Sequence, residues 1–175
     1  VSYNTHHIRY NTDEHNWGGI VANIWTPSSV YIHPNYKPGQ LYYNIAVIRT
    51  GPYFPSSIYN QTALRCSEDE VNFERLTVAG WGYIRDQTGQ LSTRLRQTEL
   101  PYAGNTCKRY YQSIGQYIDE TMFCAGDLDH GGTGICVGDL GGAAVKRVGS
   151  LNVITGVASH FNECGGPKLI SLFTR

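Results

Sequence analysis

Apolar residues in this chain recur in short runs, and turn residues cut each run off before a helix could propagate. The runs are Ile20–Trp25, Ile45–Ile48, Leu76–Ala79, Ala143–Val148, Val153–Ala158 and Leu169–Phe173. Between them stand His33-Pro34-Asn35, Pro38-Gly39, Gly51-Pro52, Thr88-Gly89, Gly131-Gly132 and Gly165-Gly166-Pro167. Pro removes a backbone donor and Gly admits positive φ, so such punctuation bounds strands. Short strands at this spacing predict an all-β barrel or sandwich. A short helix is expected only over Asn105–Tyr111, with Asn105 as N-cap. Ser56–Glu74 is the most polar segment and reads as a crossover between two halves. No internal repeat is visible.

Charge narrows the function classes. Lys+Arg number 14 and Asp+Glu 14, so the formal net charge is zero, and no run of like charges occurs. That argues against a nucleic-acid partner, which requires a basic surface. Apolar residues are 41% and charged residues 16%, too apolar and too weakly charged for a disordered chain. No stretch reaches the roughly 18 apolar residues of a membrane span, so no membrane partner is expected. No apolar leader-like run stands at the N-terminus.

The five cysteines are Cys66, Cys107, Cys124, Cys136 and Cys164. None forms a Cys-x-x-Cys pair, and no Cys/His spacing suits zinc, so neither metal nor cofactor is expected. Disulfides in an oxidising compartment fit better than buried free thiols, which places the protein outside the cell. The odd count leaves one thiol over. Asn60-Gln61-Thr62 is a glycosylation sequon at Asn60, though such a triplet is common by chance in a chain of this length.

The densest glycine cluster runs from Gly131 to Gly142 and ends Gly138-Asp139-Leu140-Gly141-Gly142. It lacks the Gly-Lys-Ser/Thr ending of a phosphate loop, and no helix pattern follows. Taken alone, it reads equally well as a tight loop bridged at Cys136.

That loop resembles the nucleophile loop of chymotrypsin-like serine proteases, Gly-Asp-Ser-Gly-Gly, and six further motifs follow the same family in order. Ile32-His33-Pro34-Asn35-Tyr36 is similar to its His-Pro-x-Tyr turn, and Tyr43-Asn44-Ile45-Ala46-Val47-Ile48-Arg49 to its Asn-Asp-Ile-Ala-Leu-Ile-Lys strand. Val78-Ala79-Gly80-Trp81-Gly82 and Met122-Phe123-Cys124-Ala125-Gly126 resemble Ser-Gly-Trp-Gly and Met-x-Cys-Ala-Gly. Gly156-Val157-Ala158-Ser159 resembles the substrate-pairing strand, and Phe173-Thr174-Arg175 the Tyr-Thr-Arg strand. The resemblance implies an all-β fold of two six-stranded Greek-key barrels. Residues 1–65 would hold the remainder of the first barrel and the crossover, and 66–175 the second barrel. The first barrel would be truncated in this chain, and a C-terminal helix would lie beyond Arg175. The implied disulfides are Cys107–Cys124 and Cys136–Cys164, with Cys66 unpaired in the chain.

The departures from the family matter most. Its mechanism uses a serine that attacks, a histidine that takes the proton, and an aspartate that fixes the histidine tautomer. Here Leu140 stands at the serine position and Asn44 at the aspartate position. The family's Ala-Ala-His-Cys segment does not occur, and this chain matches the family only after it. Leucine offers no heteroatom, and asparagine no negative charge. His6, His7, His15, His33 and His160 read as surface or packed histidines, His160 falling where the family keeps a pocket tryptophan.

The implied specificity pocket, formed by Gly134, Ser159, His160, Phe161 and Ser171, is altered too. Gly134 takes the basal position that is Asp in trypsin-like members. Phe161 and Ser171 replace wall glycines, so a phenyl ring would occlude the slot unless it turns to solvent. The backbone N–H groups of Gly138 and Leu140 remain as an oxyanion-hole remnant. Asp139 would lack the N-terminal ammonium that pairs with it in active members, leaving its carboxylate unpartnered or the loop rearranged.

The resemblance therefore implies no enzyme activity: a protease homologue with degenerate Asn44 and Leu140, secreted, acting by protein binding. Tyr42–Tyr43 and Tyr110–Tyr111 are candidate anchors for a partner, although ordinary packed tyrosines would look the same. The Arg9-Tyr10-Asn11-Thr12 and His15-Asn16-Trp17-Gly18-Gly19 stretches are similar to mite digestive trypsins of the group 3 allergen type. Inactivated paralogues of that type in parasitic mites, including the scabies mite, imply an anti-host role against plasma or complement proteins. Two rival expectations are a non-catalytic cofactor in an arthropod protease cascade and a hydrolase with an unorthodox nucleophile.

Overall fold

The computed structural model describes residues 8–10, 23–25, 27–50, 64–65, 75–84, 89, 91–92, 95–104, 106–166 and 170–175. Cys66, Asn60, His6, His7 and His15, and nearly all of the expected crossover, lie outside them.

The first half contributes two antiparallel pairs. Strand β1 (Ile8–Tyr10) pairs with β2 (Asn23–Trp25), and β3 (Pro27–Ile32) with β4 (Ala46–Thr50). The turn between β3 and β4 is held by the His33 amide donating to Ile45 O at 3.1 Å.

The second half is a closed six-stranded barrel. Its strands are β6 (Arg75–Gly80), β7 (Arg96–Gly104), β8 (Met122–Ala125), β9 (Ala143–Val148), β10 (Leu151–His160) and β11 (Ser171–Thr174). They run in the order β11-β8-β7-β6-β9-β10, and β10 pairs again with β11 to close the sheet. The two-residue strand β5 (Leu64–Arg65) adds in parallel to β10 opposite Val153 and Ile154. This is the barrel that the sequence resemblance implies for the second half, and closure leaves it no free edges.

Side-chain alternation explains the barrel interior. Leu76 and Val78 of β6 point inward, one residue apart, and meet Leu100, Phe123, Ala125, Ala144, Ala158 and Phe173. The Phe123 and Phe173 rings stack at 5.3 Å. Gly156 is required here, because a Cβ at that position would come within 2.6 Å of the Phe123 ring. All four residues of β8 and of β11 are buried. Their outward faces are covered by a second cluster containing Leu41, Tyr111, Ile118, Met122, Ile170 and Leu172. Leu41 comes from the β3–β4 turn, so this cluster joins the two halves.

The helix departs from the expected span. Helix α1 covers Lys108–Ser113, with Cys107 as N-cap and no side-chain cap. The Thr106 hydroxyl instead donates back to Ala103 O at 2.6 Å. Cys107 is buried in its disulfide to Cys124, and that anchor sets where the helix begins. Asn105 lies outside the described residues. Strand β7 was not anticipated from hydrophobic runs, because Arg96–Gly104 reads RQTELPYAG and buries fully only Leu100.

Candidate active site

The site is built on the loop from Gly131 to Gly142 and on the ends of β10 and β11. Disulfide Cys136–Cys164 ties the loop to the segment after β10. At the loop tip Asp139 N donates to Cys136 O and Gly142 N to Asp139 O, both at 3.0 Å. Gly141 N donates to Ala158 O, and Ala158 N to Gly142 O, each at 2.8 Å. These bonds fasten the tip to β10. Gly138 has φ +96°, which only glycine adopts readily, and a Cβ there would meet Leu91 at 2.7 Å.

Leu140 sits at the tip and is 53% exposed. Among the described residues, neither the Gly138 nor the Leu140 N–H has a protein acceptor. Two free backbone donors therefore stand beside a side chain of pure hydrocarbon.

Asp139 does not stand without partners. Its Oδ1 accepts from Gly82 N at 2.8 Å and its Oδ2 from Cys136 N at 3.0 Å. The carboxylate fills the space that side chains at Gly80 and Gly82 would need, and a Cβ at either position would collide with it. The Gly80-Trp81-Gly82 motif is thus a cradle for Asp139. The two amides meet the hydrogen-bonding demand expected of a half-buried carboxylate. A cavity of about 310 Å³ lies alongside, lined by Gly80, Gly82, Ile135, Asp139, Gly142 and Ala158 among others.

Asn44 lies two residues before β4, after Tyr43, which adopts φ +57°. Its Nδ2 donates to Ser159 O at 3.2 Å, while its own carbonyl accepts from Thr174 Oγ1 at 3.3 Å. The Ser159 hydroxyl is turned away and donates to Leu172 O at 3.1 Å. Asn44 therefore fastens the first half to β10 and β11, using a donor that an aspartate would not have.

Of the residues expected to form the pocket, Gly134 and Ser171 lie against each other. Ser171 is buried, and its Oγ accepts from Ile135 N at 3.0 Å. A Cβ at Gly134 would lie 3.3 Å from that oxygen and 3.2 Å from Gly165 N, so the pocket base has little room for a side chain. Phe161 is half-buried and packs against the barrel core cluster. The His160 ring lies 6.1 Å from that of Tyr111, and its Nε2 is 3.0 Å from Asn162 Oδ1. His33 stacks on Tyr43 at 4.7 Å, and its Nδ1 accepts from Asn35 N.

Two observations correct or extend the sequence reading. Tyr111 cannot anchor a partner: it is 0% exposed, its hydroxyl donates to Ile170 O at 3.1 Å, and burial next to Tyr110 pushes its pKa well above the ordinary tyrosine value. His130, passed over among the histidines, is exposed and pairs with Asp127 at 3.4 Å. The amides of His130 and Asp129 hold the Asp127 carboxyl below its usual range. Among the described residues no cluster of His, Cys, Asp or Glu could hold a metal ion, and no helix is long and apolar enough to cross a membrane.

The barrel and the two disulfides agree with comparisons to known proteins. The family model described as Trypsin matches residues 3–175. The chain is 31% identical over 172 residues to Trypsin Blo t 3 of Blomia tropicalis, covering 96% of this chain and 62% of that protein. It is 35% identical over 155 residues to an alkaline trypsin (alkaline C) of Manduca sexta, covering 85% of this chain and 56% of that protein. It is 29% identical over 171 residues to Trypsin Tyr p 3.0101 of Tyrophagus putrescentiae, covering 96% of this chain and 57% of that protein. The chain thus spans a little over half the length of these relatives. The matched length, the closed barrel and the disulfide pairs lead to one conclusion: this chain belongs to the trypsin family.

Proposed function

We propose that this chain belongs to a secreted, catalytically inert member of the family that works by binding another protein. Leu140 carries the reading. It occupies the nucleophile position of a well-formed Gly138–Gly142 loop, and its side chain has no atom that can attack a carbonyl. The Asn44 amide is committed to Ser159 O, so the position that would orient a histidine supplies a donor and no charge. Phe161 packs against the core and Ser171 Oγ accepts from Ile135 N, which supports a substrate slot narrowed relative to one walled by glycines.

Binding would then use surface outside the slot, with Tyr31, Tyr42, Tyr43, Tyr110 and Tyr117 among the accessible aromatic residues. Host plasma proteins, complement components among them, are the first partners to test, with arthropod haemolymph as the alternative source. The domain division we infer places residues 1–65 in the first barrel and crossover and 66–175 in the second barrel. The test of inertness is turnover of chromogenic peptides and esters by purified protein. We expect none beyond the floor of about 10³–10⁴-fold over water that remains when triad members are removed from such enzymes. Turnover well above that floor overturns the reading.

A further inference from the structure

We propose that Arg96 is the counter-charge of Asp139: its guanidinium leaves Ser92, crosses the cavity beside the loop and closes an ion pair that holds the segment carrying Leu140. The inference stands apart from whether the protein is catalytically inert. Strand register brings the two side chains together. Arg96 stands directly opposite Gly80 at the end of the β6–β7 pairing. Directly opposed residues of antiparallel strands project from one face, with Cβ atoms about 4.5–5.5 Å apart. Gly80 has no side chain to fill its place, and a Cβ there would overlap Asp139 Oδ1. The Asp139 carboxylate thus occupies the position of the cross-strand partner of Arg96, a gap that an arginine side chain spans.

The cavity carries the complementary charges. Among the described residues that line it, Asp139 and Arg96 are the only charged side chains. Thr98 and Leu100 follow Arg96 on the same face of β7 and run from half-buried to buried, while Arg96 itself is exposed. The guanidinium therefore sits at the open end of the barrel, and the half-buried carboxylate lies on the wall beside it.

Ser92 is the resting site. Arg96 Nε donates to Ser92 Oγ at 3.1 Å, and Ser92 N donates to Trp81 O at 3.0 Å. Ser92 is thereby fixed beside Gly82, whose own N–H donates to Asp139 Oδ1 at 2.8 Å. Among the described residues the ion pairs are Arg75–Glu99 and His130–Asp127, so the partners of Asp139 in this conformation are amides. Moving to Asp139 exchanges a bond to a neutral hydroxyl for one between opposite charges, which is the stronger kind. Arg96 is thus a positioning residue for the loop, acting through Asp139.

The test is amide hydrogen exchange followed by NMR in the wild-type protein, Arg96→Gln, Arg96→Lys and Ser92→Ala. Arg96 is exposed, so its variants fold. In Arg96→Gln the Gly82 and Cys136 amides, which bond the carboxylate, should exchange about threefold to fivefold faster, the effect a partly exposed ion pair supports. The amides of β8 and β11 should be unchanged, and Arg96→Lys should keep most of the protection. Unchanged exchange at Gly82 and Cys136 in Arg96→Gln would overturn the proposal. Acceleration that spreads to β8 and β11 would mark a general loss of stability and overturn it too. Loss of protection in Arg96→Lys equal to that in Arg96→Gln would rule out a charge pair. Acceleration in Ser92→Ala as large as in Arg96→Gln would place the support in the Ser92 bond and contradict the pairing with Asp139.

Discussion

Asn44 and Ser159 are joined by a bond whose direction excludes an aspartate: Asn44 Nδ2 donates to the Ser159 carbonyl at 3.2 Å. A carboxylate there would face that carbonyl oxygen to oxygen, with the Ser159 hydroxyl already donating to Leu172 O. We predict that Asn44→Asp destabilises the fold by about 1–3 kcal/mol at pH 7, the cost of a part-buried acceptor left unsatisfied. The new carboxyl would favour its protonated form in the folded state, so its folded pKa lies above the unfolded value. The deficit should then be small near pH 4 and grow as pH rises through the folded pKa. Urea unfolding of both proteins at the two pH values checks this; equal stability at pH 7 would mean that Ser159 reorients freely.

The cradle for Asp139 makes a second prediction. Gly82→Ala should cost about 1–3 kcal/mol, the usual penalty for overpacking, because the added methyl runs into the Asp139 carboxylate. In an Asp139→Ala background the same change should cost much less. The quantity to measure is the coupling energy of the double-mutant cycle by denaturant unfolding. Additive effects would separate the glycine from the carboxylate and contradict the cradle.

Tyr111 predicts the alkaline behaviour. Its pKa is raised by burial, so it stays protonated in the folded state while an unfolded tyrosine ionises near pH 10. Stability should hold below that pH and fall as pH rises above it, since only the unfolded chain releases the proton. Tyr111→Phe, which keeps the ring and loses the bond to Ile170 O, should blunt that fall at a cost of about 1 kcal/mol at neutral pH. Spectrophotometric titration against unfolding curves tests it; a Tyr111 that ionises with the exposed tyrosines would refute the assignment.

Much of the site was legible in the sequence because it rests on main-chain motifs. The glycines around Asp139 and the two cysteine pairs fix backbone shape, so their order locates the loop whatever side chain stands at 140. The rest depended on tertiary contacts that no local pattern encodes. Tyr110 and Tyr111 look alike in sequence, yet only Tyr111 lies under Ile170 and leaves the surface. Strand β7 hides behind polar residues because one face of its ribbon is solvated. The partners of Asp139 are amides 57 and 3 residues away, of which the distant one could not be read locally.

Restoring the nucleophile alone should not restore catalysis. In Leu140→Ser the hydroxyl would gain an attacking atom, but Asn44 would still present a donor at the orienting position. Phe161 would still pack against the barrel core, where we propose that it narrows the slot. For the comparable aspartate-to-asparagine change in such triads the rate falls by about 10⁴. Peptide cleavage by this variant at rates ordinary for the family would show that neither Asn44 nor Phe161 obstructs the site.

The central claim is that the loop carrying Leu140 holds no reactive nucleophile. Its most direct test is incubation of the folded protein with a fluorophosphonate, followed by intact mass and peptide mapping. An unmodified mass is expected under conditions where an active trypsin is labelled to completion. A stoichiometric phosphonyl adduct mapped to the loop from Gly131 to Gly142 would contradict it.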